Sequence, residues 1–99
     1  MIKRIVKLTF KRDKTADFLA IFDSSKDQIR AFPGCRHLEL WREERDPSVF
    51  FTYSYWEDEA ALEQYRQSTL FRTTWKRTKV LFAERPAAWS VRLVEEVEG

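Results

Sequence analysis

Residues Val49 to Trp56, VFFTYSYW, form a run with neither charge nor proline, and it reads as a strand with no face fit for water. A strand sends alternate side chains to opposite sides. Val49, Phe51, Tyr53 and Tyr55 therefore go one way, and Phe50, Thr52, Ser54 and Trp56 the other. The first face is aromatic; the second is small in the middle with large ends. In a chain of 99 residues the protein's own helices can cover one face of a sheet, so the second face calls for another subunit. Left exposed, such a run is an aggregation hazard. A homodimer is the expectation.

This length makes one domain, residues 1–99, with one core and room for one site per subunit. The 18 basic and 16 acidic residues leave a net charge of +2 spread along the chain, which does not suggest nucleic-acid binding. Four tryptophans, three tyrosines and eight phenylalanines are many for a domain of this size and fit a core that also lines an apolar pocket or an interface. Cys35 is the one cysteine, so no intramolecular disulfide forms and a cysteine-based zinc site lacks ligands. No stretch is apolar enough for a membrane span and the N-terminus lacks a leader pattern, which points to a soluble cytoplasmic protein.

Alternation over Ile2–Phe10 predicts a first strand with Val6, Leu8 and Phe10 on one face. Helical spacing of Phe18, Ile21, Phe22, Ile29 and Phe32 predicts a helix from Thr15 to Ala31, stopped by Phe32-Pro33-Gly34. A second strand over residues 36–43 sets Leu38 and Leu40 against His37, Glu39 and Trp41, and the polar turn Glu44–Ser48 leads as a hairpin into the aromatic strand. Asp58 caps a helix with Ala61, Leu62 and Tyr65 inward, and Ser68 interrupts it. A further helical stretch, with Leu70, Phe71, Thr74, Trp75, Thr78, Leu81 and Phe82 on its stripe, runs to about Arg85-Pro86, and Trp89 to Val97 closes the chain as a strand. The order β-α-β-β-α-α-β is that of an α+β, ferredoxin-like fold with an antiparallel sheet and helices on one face.

The FPGC turn (Phe32, Pro33, Gly34, Cys35), the strand ending TYSYWED and the following LEQYRQSTLFRTTW resemble the antibiotic biosynthesis monooxygenase domain family of the dimeric α+β barrel superfamily. The resemblance covers nearly the whole chain. It implies two subunits pairing their sheets into a barrel, a pocket between sheet and helices in each, and activities such as cofactor-independent oxygenation of anthrones and quinol-type aromatics or, in one branch, haem breakdown. The haem-degrading members use an Asn, a Trp and an iron-ligating His; the last two positions align with Tyr65 and Trp75, and the chain contains no Asn. The anthrone-oxidising members pair an Asn with a Trp, of which only the Trp is matched, by Trp56.

Oxygenation without a cofactor requires an apolar pocket, a base and donors that stabilise a substrate anion. Histidine is the side-chain type that titrates near neutrality when unperturbed, so His37, the one histidine, is the candidate base; otherwise it is a strand histidine at the sheet surface or dimer interface. Tyr65 on the inward stripe can donate to a phenolate, or be core. Trp56, Trp75 and Phe71 are candidate pocket walls for a small aromatic substrate, and Arg72 a candidate anion-stabilising cation unless it is a solvated helix residue. The Cys35-x-His37 spacing supplies two ligands and no third, so no metal is expected. Flavin, nicotinamide and nucleotide fingerprints are absent, Gly34 and Gly99 being the only glycines, which agrees with an enzyme that uses no cofactor. The competing expectation is a dimeric module that binds a small apolar ligand without turnover, and a third is a haem-binding protein.

Overall fold

A computed structural model describes the whole chain, residues 1–99. The elements are β1 (Ile2–Thr9), a short 3-10 turn over Arg12–Lys14, α1 (Thr15–Arg30), β2 (Cys35–Arg42), β3 (Val49–Trp56), α2 (Glu59–Arg66), α3 (Thr69–Lys79) and β4 (Ala87–Val91). The strands form one sheet in the order β2-β3-β1-β4, every neighbour antiparallel. This is the α+β, ferredoxin-like architecture expected from the sequence, with the aromatic strand central.

Strand alternation sorts the sheet into two unlike faces. Toward the helices lie Leu8, Phe10, Phe50 and Trp56, all buried, with Thr52 and Ser54 between the two large residues of β3. The core is accordingly split. Leu8, Phe10, Phe18 and Phe50 form one cluster, and Cys35, Trp56 and Leu62 form another. The opposite face carries the rows Trp41–Phe51–Lys7, Glu39–Tyr53–Ile5–Trp89 and His37–Tyr55–Lys3–Val91, and nothing in the chain covers it. Trp41 and Trp89 remain 41% and 48% exposed there.

Gly34 ends the first crossover for two reasons. Its φ of +88° is a conformation other residues rarely adopt, and a Cβ on it would lie 2.4 Å from the Cβ of Ala61 on α2. The Glu57 N–H then donates to the Gly34 carbonyl over 2.9 Å, tying this turn to the start of α2. Just beyond, β2 is bulged at Arg36: Cys35 pairs with Trp56, but His37 pairs with Tyr55. The extra residue breaks the two-residue period, so Cys35 is buried beside Trp56 while His37 stands on the open face. The two residues of the Cys-x-His spacing thus lie on opposite sides of the sheet.

Two boundaries differ by more than two residues from those read in the sequence. The last strand stops at Val91 rather than Val97, because its partner β1 begins at Ile2, one residue beyond the Lys3–Val91 pair; Leu93, Val94 and Val97 follow, exposed. Helix α3 stops at Lys79 rather than near Arg85. The chain there turns to bond β1's end, with the Lys11 N–H donating to the Leu81 carbonyl over 3.0 Å and Phe82 bridging to Phe10. Leu81 and Phe82 still pack inward, against the first core cluster. No helix is long and apolar enough to cross a membrane.

Candidate functional site

The small middle of β3 leaves a hollow between the two core clusters. Thr52 and Ser54 on β3, with Val6 on β1 and Ala88 on β4, floor it, and side chains of all three helices roof it. The cavity measures about 360 Å³, within the range of about 300–1,000 Å³ typical of small-molecule sites and near its lower end. Most of its lining is hydrophobic.

One wall is aromatic. Trp56 stacks on Tyr65 with centroids 4.8 Å apart, Tyr65 meets Phe71 edge-on at 5.3 Å, and Phe71 stacks on Trp75 at 5.7 Å. Through Phe82 this series reaches Phe10 in the other cluster. The kink between α2 and α3 holds it in place. Ser68 ends α2 by donating its hydroxyl to the Tyr65 carbonyl over 2.6 Å and begins α3 by accepting from the Phe71 N–H over 3.0 Å. One serine thus sets the angle between the helices that carry Tyr65 and Phe71. Asp58 caps α2 in the same way, accepting from the Ala61 N–H at 2.8 Å.

Few polar groups reach the hollow. The Trp56 indole N–H is engaged, donating to Ser54 Oγ over 3.0 Å, so Trp56 offers a ring face rather than a donor. The Thr78 hydroxyl donates to the Thr74 carbonyl and the Ser25 hydroxyl to that of Ile21. Tyr65 differs: its hydroxyl has no partner within the chain, and burial, reinforced by the nearby Cys35 thiol, pushes its ionisation well above the ordinary tyrosine range. It remains a neutral donor at every physiological pH. No carboxylate and no imidazole lines the cavity; its titratable groups are Tyr65, Arg4 and Arg66.

The residues singled out from the sequence fall into two groups. Trp56, Tyr65, Phe71 and Trp75 meet at this cavity. His37 and Arg72 do not. His37 stands on the far side of the sheet, 4.8 Å from the Tyr55 ring and hydrogen-bonded to Glu39, because strand alternation past the Arg36 bulge turns it outward. Arg72 is exposed, one position off the inward stripe that Phe71 and Trp75 define. Sequence reasoning missed Arg4 and Arg66. Arg4 belongs to the same alternating set as Val6 and Leu8, a signal that places it inward, but a charged side chain near the chain start reads most simply as solvated.

Comparison with known proteins agrees with this architecture. Residues 1–77 match the family described as antibiotic biosynthesis monooxygenase. A crystal structure of an antibiotic biosynthesis monooxygenase superposes with a TM-score of 0.90 at 20% identity, covering 96% of this chain and all of the other. A conserved protein of Methanosarcina mazei gives 0.88 at 20% identity over 92% of this chain and 90% of the other, and a protein of Mycobacterium tuberculosis 0.87 at 18% over 98% of each. At these identities the structural likeness establishes the fold alone. A protein of Synechocystis described as uncharacterised is 25% identical over 88 residues, which span 89% of this chain and 59% of that longer relative.

Proposed function

Because the chain belongs to the antibiotic biosynthesis monooxygenase family, we propose that it is a cofactor-independent monooxygenase acting on a small hydroxylated aromatic or quinol. The observation that carries this reading is the unpartnered Tyr65 hydroxyl in an aromatic-walled cavity of about 360 Å³. The substrate ring lies against Trp56, Phe71 and Trp75. In its keto tautomer it loses a proton from the ring carbon that will be oxygenated. Tyr65 donates to the resulting enolate or phenolate oxygen, and the electron-rich anion passes an electron to dioxygen. The two radicals join into a peroxide, which takes up a proton and loses water to leave a carbonyl, so the substrate supplies all the electrons. With no base in the cavity, the protein's contribution is to stabilise the anion and exclude solvent rather than to abstract the proton.

In this reading the protein works as a cytoplasmic homodimer that buries the two open sheet faces against each other. His37 and its Tyr53 and Tyr55 neighbours then belong to the interface and not to catalysis. Oxygen uptake measured with a panel of anthrones and hydroquinones tests the activity. The expected result is turnover that falls about a hundredfold in Tyr65→Phe, the typical loss on removing one anion-stabilising donor, and that persists in His37→Ala. The missing cavity base favours one other reading, a dimeric module that binds a small aromatic without reacting. Calorimetric binding of panel members with no oxygen uptake by any of them overturns the enzyme in favour of that module.

A further inference from the structure

Arg4 is the one cation on the inward face of β1. It sits in the cross-sheet row Leu38–Ser54–Arg4–Ser90, at the side of the cavity that Arg66 also lines. Its guanidinium donates to Ser90 Oγ over 3.0 Å and has no carboxylate partner. A guanidinium carries five N–H donors in a planar fork, so most of this one is unused. The surroundings disfavour its charge: partial burial and the nearby Arg66 both lower its pKa, and the acidic Glu59 and Glu63 oppose that only in part. Glu63 is itself engaged by Arg66 at 3.5 Å and by the Gln67 side chain at 3.1 Å. Two cations beside an apolar hollow, one of them partly desolvated and unpaired, form an arrangement that a bound anion completes.

Building on the proposed aromatic-oxidising function, we infer that the substrate is an aromatic acid whose carboxylate is held by Arg4 and Arg66 while its hydroxylated ring lies against Trp56 and Tyr65. The division of labour follows from chemistry. A carboxylate offers two oxygens to the guanidinium fork, whereas the reacting oxygen needs a neutral donor at the apolar end, which Tyr65 supplies. The carboxylate also fixes which ring carbon faces dioxygen.

Isothermal titration with a hydroxynaphthoate and its isosteric amide tests the inference. The acid should bind tenfold or more tightly than the amide, in keeping with a charge-assisted hydrogen bond. Arg4→Gln should abolish that preference. Arg66→Gln, a change at a half-exposed helix position, should reduce the preference about threefold and serves if the Arg4 variant does not fold. Equal binding of acid and amide, absence of acid binding, or a preference unaltered in both variants overturns the inference. Oxygen uptake separates it from the activity on which it builds. Acid preference without uptake keeps the carboxylate site and overturns the oxygenase; uptake from neutral quinols without acid preference does the reverse.

Discussion

Under the proposed function, Tyr65 concentrates the chemistry of this chain in one hydroxyl. Its phenol ionises well above the usual value of 10.0, and the buried Cys35 thiol is likewise raised above its usual 9.0, in both cases first because burial penalises the anion. Below those ordinary values both groups are protonated, folded or unfolded, and neither makes stability depend on pH. Above them the unfolded chain ionises while the folded one holds its protons. The folded state then binds more protons than the unfolded, and stability falls as pH rises. Denaturant midpoints should therefore drop from about pH 9 upward, and Tyr65→Phe should flatten the part of the decline above pH 10. An unchanged alkaline slope in that variant would show that the hydroxyl is solvated rather than buried.

Among the elements, the α2–α3 junction matters most to the site. Ser68 satisfies groups from both helices, so Ser68→Ala should cost about 1–2 kcal/mol, the upper range for a cap. It should also loosen the Tyr65–Phe71 contact, seen as lower unfolding midpoints together with weaker aromatic binding. The residues themselves reveal much of this layer. Phe18, Ile21 and Ile29 at helical spacing specify α1, and the alternation in Val49–Trp56 specifies both faces of β3. Trp56, Tyr65, Phe71 and Trp75 are legible as one wall because each repeats its element's inward period. What period cannot show is a bulge. One extra residue at Arg36 parts Cys35 from the face that His37 shares with Glu39 and Trp41, and no local signal in Cys35-Arg36-His37 announces it. Of the two readings open for Arg72, site cation or solvated helix residue, its exposure fits the second, since a residue adjacent to a stripe is not on it. The end of β4 was set by where β1 begins, a tertiary limit invisible in the alternation of Trp89, Val91 and Leu93.

The whole molecule is a slab with extents of 39 × 37 × 22 Å and a radius of gyration of 14.0 Å, where a globular chain of this length averages about 13 Å. Only 14 of its 99 residues are buried, because one broad aromatic face has nothing against it. Sedimentation at micromolar concentration should give twice the chain mass, and Phe51→Asp on the open face should yield a monomer; a monomeric native chain refutes the pairing. On the other face, the short side chains of Thr52, Ser54 and Ala88 keep the hollow open. Thr52→Leu should narrow it, raising stability by about 1 kcal/mol, roughly 4–8 °C in Tm, and weakening aromatic binding. A fitting ligand is thus the last piece of an interior left incomplete. Under the proposed function, sturdiness and catalysis pull these three positions in opposite directions, and a lineage that lost its substrate would be expected to let them grow.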